Sequence, residues 1–289
     1  MSSPFVRRLR LGAELRALRR RRGLTAEQLS GLFHQSRMKI SRLENAQIRP
    51  DLAEIMDLLD LLRATDDERA EIIKIAREAA AKGWWDAYGD TMGDRQRLYA
   101  DIESGAATIR EYQPGTMPGL LQTPEYTWAL IEHAKAEGPI TYVPDRLMEA
   151  RSKRQQTAFR LDGPTYEVIL DEISIRRFSV PPAVMRAQLH HMVESIETHV
   201  KLTMRVLPVD IGRVPTLMPR SQTIIFGFPD PSDPPLAMTE TLSNDFIHTS
   251  PVEVAKHMKR YETVRNAALS EVSSRELLTE LADKITDKV

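Results

Sequence analysis

Between Leu11 and Leu62 the chain stops and restarts helices so often that no long element fits. Leu11, Leu15 and Leu18 recur at i, i+4 and i+7, which predicts a helix with one apolar stripe, stopped by Gly23. Thr25-Ala-Glu-Gln28 is a capping box, in which the Thr hydroxyl accepts a backbone N–H and the Gln side chain reaches back. It opens a short helix to about Phe33. A tight turn at His34–Gln35 follows, and Ser36 is a good N-cap for a third helix with Ile40 and Leu43 on its inner face. After Pro50, the residues Ile55, Leu58, Leu59 and Leu62 give a fourth apolar stripe. Short helices joined by tight turns predict a helix-turn-helix bundle over residues 1–64.

Charge adds direction to that bundle. Residues 1–50 hold 12 Lys/Arg and 3 Asp/Glu, a surplus of nine, whereas the whole chain carries a net charge of −1. A basic head on an acidic body suggests a head that meets a polyanion. The third helix reads Ser36-Arg-Met-Lys-Ile-Ser-Arg-Leu-Glu-Asn45. With Ile40 and Leu43 inward, Arg37, Met38, Ser41 and Arg42 face out or sit near the N-terminus, and Lys39 lies beside them. The positive end of a helix attracts phosphate. Such a helix fits a major groove, where Arg pairs with guanine and Met touches a thymine methyl.

Leu15-Arg-Ala-Leu-Arg19, Gly23-Leu-Thr25, Glu27-Gln-Leu29 and Ile40-Ser-Arg-Leu-Glu-Asn45 together resemble the Xre-type, phage-repressor-like helix-turn-helix over about 55 residues. The resemblance implies base and phosphate reading by Ser36, Arg37, Met38, Lys39 and Arg42. It also implies a buried Arg19–Glu44 pair that locks the first helix to the third, and phosphate contacts from Asn45 and Arg49. Thr25 joins the phosphate set and Ser41 the duplex-facing set. The sequence departs from the pattern at His34 and Ala46, where the family has turn glycines, and at Ala26, where it often has Gln. His34 tolerates a left-handed backbone better than most residues, and Ala46 would be strained in one.

Residues 65–100 read as a helical linker. Thr65-Asp-Asp-Glu68 is a second capping box, its helix ends near Gly83, and Trp84-Trp85 follow. In the remaining 101–289, helical patterns lie near 98–111, 124–137 and 145–160, divided by the turn residues of Tyr112-Gln-Pro-Gly-Thr-Met-Pro-Gly119. The period then changes. Tyr166–Leu170, Leu202–Leu207, Gln222–Phe228 and Leu236–Glu240 read as four strands, with a helix over about 182–199 between the first two. Ser250-Pro-Val-Glu253 starts a helix to about Leu269, and another opens near Ser273. The expected class is therefore mainly α, with an α+β C-terminal domain on a small antiparallel four-stranded sheet.

Glu103, Ala107, Ile109 and Tyr112, then Met117-Pro-Gly-Leu-Leu-Gln-Thr123, Glu125-Tyr126, Arg154-Gln155, Ile169-Leu-Asp-Glu172 and Gln188-Leu189 form a second signature. It resembles the domain of unassigned chemistry in WhiJ-like, antitoxin-type regulators of streptomycetes, over about 84–280. That resemblance implies a transcription factor encoded beside a small partner protein. Leu120, Leu121 and Tyr126, with Trp84, Trp85, Tyr112 and Trp128, either line a partner or ligand pocket or pack an ordinary core.

Several classes are excluded or unsupported. No cysteine means no disulfides, Cys-ligated zinc, iron–sulfur site or thiol nucleophile. Asp171-Glu172 reads as strand-end capping or an arginine partner rather than an acid pair for catalysis. His190 and Glu194 are i,i+4, but without a third strong ligand nearby they read as a polar face, so no metal is expected. No cofactor is implied and no enzyme is expected. Without an 18-residue apolar run or a signal-like leader, the expectation is a cytoplasmic, nucleoid-associated protein. It would bind double-stranded DNA as a homodimer, since one such head buries little surface. The dimer contact would lie on the helices after Thr65, or on the Val254, Met258, Tyr261, Ala268 stripe unless that stripe packs on the strands. The rival reading is an antitoxin-like module that sequesters a small partner and controls its own promoter.

Overall fold

A computed structural model describes residues 2–211, 221–241 and 245–286, which form two compact units. The first comprises residues 1–87, 97–105 and 228–234; the second comprises 88–96, 106–227 and 235–289.

In the first unit, α1 (Pro4–Arg21), α2 (Ala26–Leu32), α3 (Arg37–Glu44), α4 (Leu52–Leu61) and α5 (Asp66–Ala80) enclose one core. Leu11, Leu15, Leu18, Leu29, Ile40, Leu43, Ile55, Leu58, Leu59 and Leu62 all enter it. So do Ile72, Ile75, Ala76 and Ala79 of α5. The linker expected from residue 65 is thus part of the bundle as far as Ala80, because its apolar stripe is buried here. Both capping boxes form, at Thr25–Gln28 and Thr65–Glu68.

The basic run at the start of α1 serves the interior of this unit. Arg7 meets Glu78 (2.7 Å), Asp230 (3.0 Å) and Asp233 (3.1 Å), and Arg10 meets Glu71 (2.7 Å) and Asp230 (2.8 Å). Arg8 reaches Asp101 of α6 (Asp94–Gly105), whose carboxylate also accepts from the Ser3 hydroxyl and Phe5 N–H. Asp230 is held down to about 2, first by the Ser232 N–H and then by the Arg7 guanidinium. Burial pushes Asp233 and Asp101 the other way. The unit as folded holds 18 Lys/Arg against 17 Asp/Glu, so its net charge is small.

The second unit is built on a sheet of six strands among the described residues, not four, in the order β3-β2-β1-β4-β5-β6. The strands are β1 (Thr108–Gln113), β2 (Thr165–Asp171), β3 (Leu202–Leu207), β4 (Thr223–Gly227), β5 (Leu236–Glu240) and β6 (Asp245–His248). The sheet is mixed: β1, β2 and β3 run parallel, while β4, β5 and β6 are antiparallel. Parallel neighbours need helical crossovers. These are α7 (Pro124–Glu137) with α8 (Pro144–Ala158), and α9 (Glu172–Arg176) with α10 (Pro182–Thr198). Val168, Ile169 and Leu170 of β2 are all buried, as expected of a strand covered on both faces. Beyond the sheet lie α11 (Pro251–Ala267) and α12 (Glu271–Lys284). The α11 stripe Val254, Tyr261 and Val264 packs on Tyr112, Ile169, Ile225 and Ala237, with Met258 and Ala268 against the same cluster. Edge strand β3 is covered as well: Val206 N–H donates to the Ser274 hydroxyl, and its carbonyl accepts from Leu269 N–H.

Pro118-Gly-Leu-Leu-Gln-Thr123 forms a one-turn 3₁₀ segment at Gly119–Leu121 that delivers the chain from β1 into α7. Leu120 and Leu121 enter the core, and Thr123 caps α7 by accepting from Tyr126 N–H. A buried turn must find partners for its own backbone. Gln188, fully buried on α10, supplies two: its Oε1 accepts from Thr123 N–H (2.8 Å) and its Nε2 donates to the Leu121 carbonyl (2.7 Å). Gln155 of α8 donates to the Gln122 carbonyl (2.8 Å). Gln188→Leu would strand both backbone groups and is expected to cost about 2–3 kcal/mol by urea denaturation, while Gln156→Leu on the exposed face of α8 stays within about 0.5 kcal/mol.

Candidate nucleic-acid interface

Four successive helices of the first unit end alike, in a residue with a left-handed backbone: Gly23 (φ 66°), His34 (φ 52°), Ala46 (φ 59°) and Arg63 (φ 46°). Each end makes the same pair of bonds. Gly23 and Leu24 N–H reach the Arg20 and Arg19 carbonyls, and His34 and Gln35 reach Gly31 and Ser30. Ala46 and Gln47 reach Leu43 and Arg42, and Arg63 and Ala64 reach Asp60 and Leu59. These are Schellman closures, which favour glycine at the left-handed position. Glycine occupies that position in one of the four. The departures at His34 and Ala46 therefore change the residue and leave the turn conformation in place.

The closure at His34 and the Ser36 cap, whose hydroxyl accepts from Lys39 N–H (3.1 Å), launch α3 directly from α2. Its inner face is Ile40, Leu43 and Glu44, all buried. Glu44 receives the Arg19 guanidinium side-on, with Nε to Oε1 at 2.6 Å and Nη2 to Oε2 at 2.8 Å. Arg19 also donates to the Leu24 carbonyl (2.8 Å), so one side chain ties α1, the α1–α2 turn and α3 together. Hydrogen bonding to Glu44 raises the Arg19 pKa above its ordinary value. Arg16 adds bonds to the Glu44 carbonyl (2.9 Å) and to Asn45 Oδ1 (2.7 Å). Gly12 lets α1 approach this closely, since a Cβ there would lie 2.4 Å from the Glu44 carbonyl oxygen.

The outer face is Arg37, Met38, Ser41, Arg42 and Asn45, all exposed. The Arg37 side chain is 73% exposed, 3.7 Å from an equally exposed Glu27, and Met38 is 69% exposed. Lys39 is less free, being ion-paired with Glu54 of α4. Asn45 Nδ2 donates to the Ser41 carbonyl (2.8 Å). Thr25 is exposed with its hydroxyl engaged as the α2 cap. Arg49 is held by both oxygens of Asp86 at 2.8 and 3.0 Å. The sequence reading missed Gly12 and Asp86; a lone glycine between Leu11 and Ala13 in a strong helical pattern was the available signal for the first.

Of the aromatic and apolar residues named as a pocket, Trp84 and Trp85 lie in the first unit and the other five in the second. Trp84 and Trp85 form an edge-on pair in the first unit, with ring centroids 5.8 Å apart, and Trp85 is buried. Tyr112 lies in the sheet core and donates to Asp171 (3.0 Å). Burial is the main reason that its phenol titrates above the ordinary range. Leu120, Leu121 and Tyr126 are core, whereas Trp128 stays exposed beside a groove. Asp171 caps α9, and Glu172 pairs with Arg176 and accepts from Val209 N–H. Among the described residues no group of three potential ligands could hold a metal, and no helix is long and apolar enough to cross a membrane.

Comparison with known families matches residues 10–72 to a helix-turn-helix domain, and residues 96–280 to a domain of unknown function, DUF5753. The chain belongs to the DUF5753 family. No curated protein and no solved structure matches it. The helix-turn-helix match covers the elements that position α3 and points to a DNA-binding regulator.

The left-handed Ala46 supplies a test of this geometry. A left-handed L-residue costs about 1–2 kcal/mol, and glycine's extra chain entropy costs about 0.5–1 kcal/mol. Ala46→Gly is therefore expected to stabilise the first unit by about 0.5–1 kcal/mol in thermal or urea unfolding.

Proposed function

We propose that this DUF5753 protein is a sequence-specific transcriptional regulator of the Xre type that lays α3 in the major groove of double-stranded DNA. The observation that carries this is the two-sided construction of α3. Its inner face is fixed by Ile40, Leu43 and the Arg19–Glu44 pair, while Arg37, Met38, Ser41 and Arg42 are left outward. In this reading Arg37, Met38, Lys39 and Arg42 read bases, with Ser41 on the same face. Thr25, Ser36, Asn45 and Arg49 hold phosphate, and Lys39 and Arg49 exchange Glu54 and Asp86 for the duplex. One head of this size buries too little for tight specific binding, so the regulator acts as a homodimer on paired half-sites. It works in the cytoplasm at the nucleoid. The C-terminal domain is its regulatory part and senses a ligand or a small partner protein of the kind associated with WhiJ-like, antitoxin-type regulators.

Selection of bound duplexes from a random pool tests this. The selected sites should hold two half-sites about 10 bp apart or a multiple of that. Arg37→Ala and Arg42→Ala should each cost about 1–3 kcal/mol and relax preference at one base pair. Arg49→Ala should weaken all sequences alike and lower the log–log salt slope by about 1. If Arg37→Ala and Arg42→Ala both leave base preference intact, α3 does not read the duplex.

A further inference from the structure

The second unit carries an open groove of about 740 Å³ between α7, α8 and the start of α10, within the size range of small-molecule sites. Helix α7 faces it with Glu125, Trp128, Ala129, Glu132 and His133, which follow the i, i+3, i+4, i+7, i+8 rhythm of one helix face. Met148 of α8 and Val184 of α10 also line it, together with Pro124 and Pro181. Trp128 is 42% exposed here, although its neighbours Tyr126, Thr127 and Ile131 are buried. The indole is thus kept out of the core and presented to the groove.

The charges lining the groove select among ligands. Its polar side chains are two carboxylates, Glu125 and Glu132, and His133, whose Nε2 lies 2.5 Å from the Ser179 carbonyl and so carries the proton toward it. An ammonium already sits at the ring: Lys135 Nζ is 5.2 Å from the Trp128 centroid and 2.8 Å from Glu132 Oε1. Aromatic face plus carboxylate is a general recognition geometry for alkylammonium groups. Lys135 is an exposed side chain on a flexible stem, and exposed ion pairs of this kind are weak. A ligand that brings its own ammonium together with an apolar body can displace it, whereas an acid would meet Glu125 and Glu132.

We propose that the α7–α8–α10 groove binds a small amphipathic amine, its ammonium on Trp128 and Glu132 and its apolar body against Met148 and Val184. The site makes no use of α3 and stands whether or not the duplex-binding reading does.

The probes are hexylamine, hexanoate and hexanol, titrated into the full-length protein carrying ¹³C-methyl methionine, with the Met148 signal assigned by Met148→Leu. Hexylamine should shift that signal saturably, and hexanoate should bind at least about tenfold more weakly. Glu132→Gln and Trp128→Leu, both changes at exposed side chains, should each weaken hexylamine by about threefold or more. Lys135→Gln, which removes the internal competitor, should tighten it by about threefold. Equal binding of hexanoate or hexanol would overturn the proposal, as would no saturable shift or a Lys135→Gln variant that binds hexylamine no better than the parent.

Discussion

The Arg19–Glu44 pair is the interaction on which the exposed face of α3 depends. A helix of eight residues has too few hydrogen bonds to persist alone, so α3 exists because something holds its inner face. Ile40 and Leu43 supply burial, which is not directional. The side-on guanidinium–carboxylate contact supplies orientation, and the absence of a Cβ at Gly12 supplies the distance. Breaking one partner would leave the other charged and buried, and Arg19 also anchors the turn at Leu24. With that face fixed, the outward directions of Arg37, Met38 and Arg42 follow from helical geometry.

Charge in the first unit is spent in two ways. Arg7, Arg8 and Arg10 meet carboxylates from α5, α6 and the 228–234 segment, and act as internal fasteners. Arg37 and Arg42 sit on the opposite kind of surface, open to solvent. A near-neutral unit can still carry a local positive field where its cations cluster. In the second unit the equivalent keystone is neutral. Gln188 closes the turn at Leu121–Thr123 without bringing a charge into the core, and Trp128, one turn further along α7, stays exposed.

Local signals explain how much of this was legible in the sequence. Thr25, Ser36, Gly23 and Thr65 each act within a few residues of themselves, and the helices they predict are the helices observed. The left-handed positions at His34 and Ala46 were visible as places where glycine is ordinary. The sheet was legible in part. Strand β1 was hidden because the helical pattern of 98–111 runs unbroken through Ile102 and Ile109, and the chain leaves the helix at Gly105 to pair with β2 and β4. Strand β6 is four residues long and only partly buried, so it lacks the apolar run that marks a strand. Partners distant in sequence left no local trace: nothing near Arg7 announces Asp230, and nothing near Arg49 announces Asp86. A surplus of nine positive charges in the first fifty residues therefore overstated the field of the folded unit.

The absence of cysteine makes one experiment unusually direct. Met38→Cys would carry a single tethered iron–EDTA cleavage group on the exposed face of α3, beside Arg37 and Arg42. On a duplex selected by the intact protein, cleavage should fall in two short clusters, one inside each half-site. A protein that selects and binds a duplex yet cleaves it nowhere, or evenly along its length, would contradict the account of α3 as the reading element.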